Sequence, residues 1–166
     1  MSKLEFKQIA PYLPHNVEIY YLGTDIDLET PKFIRTKLLG VKKDEHFSSI
    51  TFFFNRYGKE KEKTSYSHNP IKLILRPMSM LEYSFEINGK KIIPNEIIGN
   101  LNGGNFYFSN FILLEQKEQY TVKYESYEVY PFWIIELLNE WQIDYRNLIG
   151  QGLAVDINTL SVQNDG

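Results

Sequence analysis

The chain has 166 residues, 43% of them hydrophobic, which is enough for one well-packed core and too few to expect two independent ones. A formal net charge of -3 creates no global field that would draw the molecule onto nucleic acid or an anionic membrane, so any such binding must be local. Cysteine is absent, which excludes disulfides, thiolate nucleophiles and cysteine metal sites and fits a reducing cytoplasm.

The opening Met1-Ser-Lys-Leu-Glu-Phe6 has no apolar signal core, and no run approaches the roughly 18 apolar residues of a membrane span. A soluble intracellular protein with no membrane role is expected. Aromatic residues make up 15% of the chain, with 12 Tyr and 11 Phe, more than a core of this size readily hides. Some tyrosines therefore belong on the surface, where tyrosine is favoured in recognition.

Ser2 with Glu5 three residues on is a capping-box pattern, predicting a short helix from Lys3 that Pro11 or Pro14 stops, packed down by Leu4, Ile9 and Leu13. Val17 to Leu22, Phe33 to Val41 and Ser49 to Phe54 read as three strands of an antiparallel meander, with Glu29-Thr-Pro31 as a turn signal. The polar run from Arg56 to Pro70 reads as a long mobile loop. Ile71 to Leu75 is a strand closed by Arg76-Pro77. Ser79 with Glu82 predicts a second helix, Met80 to Ile87, ended by Asn88-Gly89. A short extended piece over Lys90 to Pro94 and one helical turn at Asn95 to Ile98 follow. Asn102-Gly-Gly-Asn105 then marks a turn before Phe106 to Leu114, which forms a late hairpin with Tyr120 to Tyr124.

The steadiest helical periodicity lies after Pro131. Trp133, Leu137 and Trp141 recur at i, i+4 and i+8, beside a second row of Ile134 and Leu138, predicting the core helix with Pro131 in its first turn. Asp144 is positioned to cap a second short helix carrying Leu148 and Ile149, with Gly150 or Gly152 as its left-handed terminator. Leu153, Val155 and Ile157 then alternate with Ala154, Asp156 and Asn158, as in a strand returning to the core. Helices and strands do not alternate regularly, so the prediction is a single α+β domain over 1–166, an antiparallel sheet packed on a C-terminal core helix, with a mobile loop at 56–70 and a flexible tail after 160.

Candidate chemistry is sparse. Arg56, Lys59, Lys61 and Lys63 interleave with Tyr57 and Tyr66, the ingredients of phosphate contact and base stacking, so 56–66 is the candidate RNA contact. Glu60 and Glu62 halve its charge, and a solvated charged loop is the usual meaning of such a run. Asp25, Asp27 and Glu29 could present oxygens to a hard cation, but the further acids of such a site are missing. His15, His46 and His68 are scattered without ligand spacing. No Gly-x-Ser-x-Gly elbow occurs, and Gly99 to Gly104 lacks the Gly-Lys-Ser/Thr of a phosphate loop. Asp156 reads as a backbone cap. Phe106, Tyr107, Phe108 and Phe111 cannot all face one core in an alternating strand. One row is either covered by another part of the chain or exposed as a patch for a protein partner or a second copy.

Three blocks carry a resemblance: Ile74 to Leu81 with Ile93-Pro94, Pro131-Phe-Trp to Trp141, and above all Leu148-Ile-Gly-Gln-Gly-Leu-Ala-Val-Asp-Ile-Asn-Thr-Leu160. Together with the opening Ile9-Ala-Pro-Tyr-Leu-Pro14 they resemble small proteins of phages and prophages of Bacteroidota, over about a third of the chain. The stretches around 24–69 and 99–128 look like additions to the shorter members. The resemblance implies phage origin and assigns no catalytic residue. Small phage proteins of this character resemble inhibitors that bind a host defence protein, with anti-CRISPR proteins the leading example and, in that lineage of hosts, a type VI-B RNA-guided nuclease complex a candidate target. The expectation is therefore stoichiometric binding in the cytoplasm of a bacterial host, with no catalysis, cofactor or metal. The alternative is a virion structural or assembly protein that acts through self-association.

Overall fold

The computed structural model describes residues 4–25, 28–43, 50–56, 59–65, 71–101 and 103–160. The chain divides into two units, Met1–Leu75 with Asn147–Gly166, and Arg76–Arg146. The fold is α+β, with three α-helices and mainly antiparallel strands among the described residues.

The first unit opens with α1, Phe6–Ile9, which continues as a 3-10 helix over Ala10–His15. Its N-terminus is closed three residues later than expected: the Glu5 N–H donates to Gln8 Oε1 at 2.7 Å, and Ser2 lies outside the described residues. The α-helical part ends at Ile9, before Pro11, and the 3-10 helix that follows carries Pro11 in its first turn and Pro14 inside it. Leu4, Ile9 and Tyr12 are buried and Leu13 is half-buried.

A six-stranded sheet follows. β1 (Glu18–Asp25), β2 (Leu28–Lys43), β3 (Ile50–Arg56) and β4 (Lys59–Ser65) pair in succession as an antiparallel meander. β5 (Lys72–Leu75) pairs with the other side of β1, and the last strand, Ala154–Asp156, runs parallel to β5 with Ala154 opposite Leu73. Ile19 and Tyr21 of β1 are buried together with Phe52 and Phe54 of β3, the period-two face of a half-covered sheet.

Several expectations fail in this unit. Glu29-Thr-Pro31 lies within β2, facing the register shift between Gly23 and Asp25, an irregularity where a sheet tolerates a proline. Within the 56–70 stretch, expected as a loop, Arg56 ends β3 and Lys59–Ser65 forms β4, because Lys-Glu-Lys-Glu-Lys repeats with period two although both phases are polar. Tyr57, Gly58 and 66–70 lie outside the described residues, as does the tail after 160. Finally, no helix carries Leu148 and Ile149. That stretch is a run of turns in which the Leu153 and Ala154 N–H groups both donate to the Leu148 carbonyl, at 2.8 and 3.1 Å. Gly152 is left-handed, at φ 73°, as expected of one of the two glycines. At Gly150 a Cβ would stand 2.3 Å from Asn147 Oδ1, so that side chain would have to shift. Leu153 and Ala154 are both buried, so the last strand does not follow the alternation read from its sequence.

The second unit begins at Arg76 with a 3-10 helix, Met78–Glu82. The helix expected to Ile87 does not form: Phe85–Ile87 is β6, hairpinned to β7, Lys90–Ile92. Asn88 and Gly89 at positive φ, 51° and 75°, are the two central residues of the turn. This Asn-Gly pair favours a tight hairpin over the end of a helix. α2, Pro94–Asn100, is longer than the single turn expected. β8 (Phe106–Ser109), β9 (Ile112–Gln116) and β10 (Thr121–Tyr124) make a three-stranded antiparallel sheet where one hairpin was expected.

α3, Phe132–Glu140, is the expected core helix, with Pro131 as its N-cap. Ile134, Leu138 and Trp141 are its buried row, while Trp133 and Leu137 are half-buried. Trp133 meets Phe106 edge to face at 5.4 Å, which seats the helix on the three-stranded sheet. Buried Arg76 donates from Nη1 to the Trp141 carbonyl at 3.3 Å and from Nη2 to the Glu86 carbonyl at 3.1 Å. Its guanidinium also lies over the Phe85 ring.

Candidate protein-binding surface

Alternation in β8 separates the aromatic residues. Phe106 and Phe108 point into the core and are buried, whereas Tyr107 points outward and is 36% exposed. The register puts Leu114 of β9 opposite Tyr107, and Lys123 of β10 opposite Leu114. Ser109 faces Ile112. Tyr107, Ile112 and Leu114, all at least partly exposed, thus share the outer face of the sheet.

Phe111 stands at the tip of this surface. Ser109 and Ile112 close a two-residue loop, and both loop residues have positive φ, 48° at Asn110 and 65° at Phe111. The left-handed region costs a residue with a Cβ about 1–2 kcal/mol, which is why a glycine commonly fills this place. Asn88-Gly89 in the same unit follows that rule, but Asn110-Phe111 does not. Phe111 is also 46% exposed, so burial offsets its backbone conformation only in part. The tip is held from outside the hairpin: Glu82 Oε1 accepts the Asn110 N–H at 2.9 Å, and Tyr83 beside it is exposed. On the β8 edge, Asn95 of α2 acts as a substitute strand, donating from Nδ2 to the Phe108 carbonyl at 3.0 Å and accepting the Phe108 N–H on Oδ1 at 2.8 Å.

On the inner side of the sheet, the Glu115 carboxylate accepts from Lys117 Nζ and, at 2.7 Å, from the Tyr124 hydroxyl. Hydrogen bonds from Lys117 and then Tyr124 hold the carboxyl below the ordinary carboxylate range. The same bond to Glu115 pushes the Tyr124 hydroxyl up. Both partners are hydrogen-bonded at the side of a sheet, an arrangement that fixes β9 to β10.

The sequence-predicted site residues therefore separate. Tyr107 and Phe111 belong to one surface of the second unit, and Phe106 and Phe108 support it from beneath. Lys59 and Lys61 are exposed on β4 in the first unit, where the register sets Arg56 opposite Lys59 and Lys63 opposite Phe52. Tyr57 and Tyr66 lie outside the described residues, as do Asp27, His46 and His68. Among the described residues no three His, Cys, Asp or Glu side chains converge as metal ligands, and no helix is long and apolar enough to cross a membrane. Sequence reasoning missed Glu82, Tyr83, Ile112 and Leu114. An asparagine followed by one residue between apolar strands is a hairpin signal, but phenylalanine in the glycine position hides it.

Fold and surface define an α+β protein that presents an aromatic hairpin tip. No protein-family model, curated protein or solved structure matches the chain.

Proposed function

We propose that this chain is a phage-encoded, non-enzymatic inhibitor that binds a bacterial defence protein, in its most specific form an anti-CRISPR protein acting on a type VI-B RNA-guided nuclease. The observation that carries the binding reading is Phe111. It is a phenylalanine left 46% exposed in a conformation suited to glycine, so backbone preference does not account for it and partial burial does not do so in full. Display to a partner does. Tyr107, Ile112 and Leu114 extend the patch along the sheet, and aromatic anchors at the centre of such a patch dominate binding energy. The phage setting is supported by the resemblance of the Ile74, Pro131 and Leu148 blocks to Bacteroidota phage proteins, and the kind of target follows from that setting alone.

The test is affinity capture of the tagged chain from a phage-infected Bacteroidota lysate, with the bound proteins and RNA identified. A host immunity complex should predominate, and Phe111→Ala or Tyr107→Ala should each weaken capture about tenfold or more. Recovery of capsid or tail components alone refutes the reading in favour of virion assembly.

A further inference from the structure

β4 carries Lys59-Glu60-Lys61-Glu62-Lys63, and in a strand this alternation gives the lysines one parity and the glutamates the other. The register sets Lys59, Lys61 and Lys63 opposite Arg56, Phe54 and Phe52, and Glu60 and Glu62 opposite Asn55 and Phe53. Charges that cancel when counted along the sequence are thus sorted by position across the sheet. Lys59, Glu60 and Lys61 are exposed. β4 also ends the six-stranded sheet, with no strand beyond it among the described residues.

Residues opposite one another in an antiparallel pair share a face. When two copies of one strand pair about a twofold axis, each residue therefore meets a residue of its own parity. For β4 that means lysine against lysine and glutamate against glutamate in every register, so this edge repels a second copy of the chain. A foreign strand with acidic side chains at every second position meets no such conflict.

We propose that β4 is a strand-addition edge for an extended segment of a partner protein that carries acidic side chains at alternate residues, matched to Lys59 and Lys61. Main-chain hydrogen bonds to the open edge supply the attachment, and the lysine row sets which strand fits and in what phase. This names a feature of the partner and rests on the reading of the chain as a protein binder.

The native chain can be titrated with three probes: a blocked peptide of alternating Glu and Thr, its Lys–Thr counterpart, and polyuridylate. Backbone amide shifts report the site. The Glu–Thr peptide should bind roughly tenfold tighter than the Lys–Thr peptide, weaken with salt and shift the amides of Lys59–Ser65. Lys61→Glu should erase that preference. Equal binding of the two peptides, no binding of either, or β4 shifts with polyuridylate alone would overturn the proposal, the last by assigning the lysine row to phosphate. No host component enters this titration, so its failure leaves a positive capture result standing, and a failed capture leaves a positive titration standing.

Discussion

Phe111 and Gly89 occupy equivalent places in two hairpins of the same unit, yet only one of them suits its backbone. The contrast predicts different responses in stability and binding. Phe111→Gly removes a left-handed penalty of about 1–2 kcal/mol and gives up the covered half of the ring, worth about 1 kcal/mol, so urea unfolding should show stability unchanged to within about 1 kcal/mol. The same substitution should weaken partner capture as severely as Phe111→Ala. A variant that loses stability and keeps capture would mean the ring is held for packing. Asn95 gives the reverse case, a polar side chain whose work is structural. Asn95→Ala strips Phe108 of both side-chain hydrogen bonds and should cost about 1–3 kcal/mol in urea unfolding, with no gain in binding. At this scale, Asp156 was legible as a cap. Its Oδ1 accepts the Asn158 N–H at 2.9 Å, a bond that needs only local chain geometry. The role of Asn95 was not legible, because its partner lies 13 residues away across a turn.

At the scale of elements, the joint between β9 and β10 should show in the pH dependence of stability. Glu115 has a depressed folded-state pKa, so its contribution is present above the ordinary carboxylate value and is lost as pH falls through the folded value. Tyr124 has a raised one, so its contribution is present below the ordinary tyrosine value and is lost as pH rises through the folded value. Glu115→Gln should flatten both limbs in a series of thermal melts, and an unchanged acid limb would place the stabilising carboxylate elsewhere. Core strands respond differently. Phe52 in the middle of β3 is wholly buried, and Phe52→Ala should cost about 3–5 kcal/mol at any pH, read by denaturant titration. The β3 strand and α3 were legible because one hydrophobic period runs through each. The 3-10 helix at Met78–Glu82 and the hairpin after it were misread as one helix, since Ser79 with Glu82 is a helix signal and Asn88-Gly89 serves either as a helix end or as a turn.

For the whole molecule, the sorting of charge on β4 predicts how copies of the chain behave together. The native chain should not pair through this edge. A charge-swapped copy, with Lys59→Glu, Glu60→Lys, Lys61→Glu, Glu62→Lys and Lys63→Glu, should not pair with itself either. Mixed, the two present lysine to glutamate at every position and should form a heterodimer in sedimentation velocity that dissolves as salt rises. Absence of that heterodimer alongside both folded chains would show that the edge is not open.

Composition and periodicity by themselves determined that this is an α+β chain with a helix after Pro131, an early meander and no cysteine chemistry, because those properties depend on residue type and on spacing within one element. Only the tertiary structure decided that Lys59 to Ser65 is an edge strand, that Tyr107 faces outward while its neighbours are buried, and that Phe111 sits in a glycine conformation at a hairpin tip. Each of those depends on which strand lies alongside and in what register. Such pairing energy is shared between distant segments and leaves no mark on either one read alone.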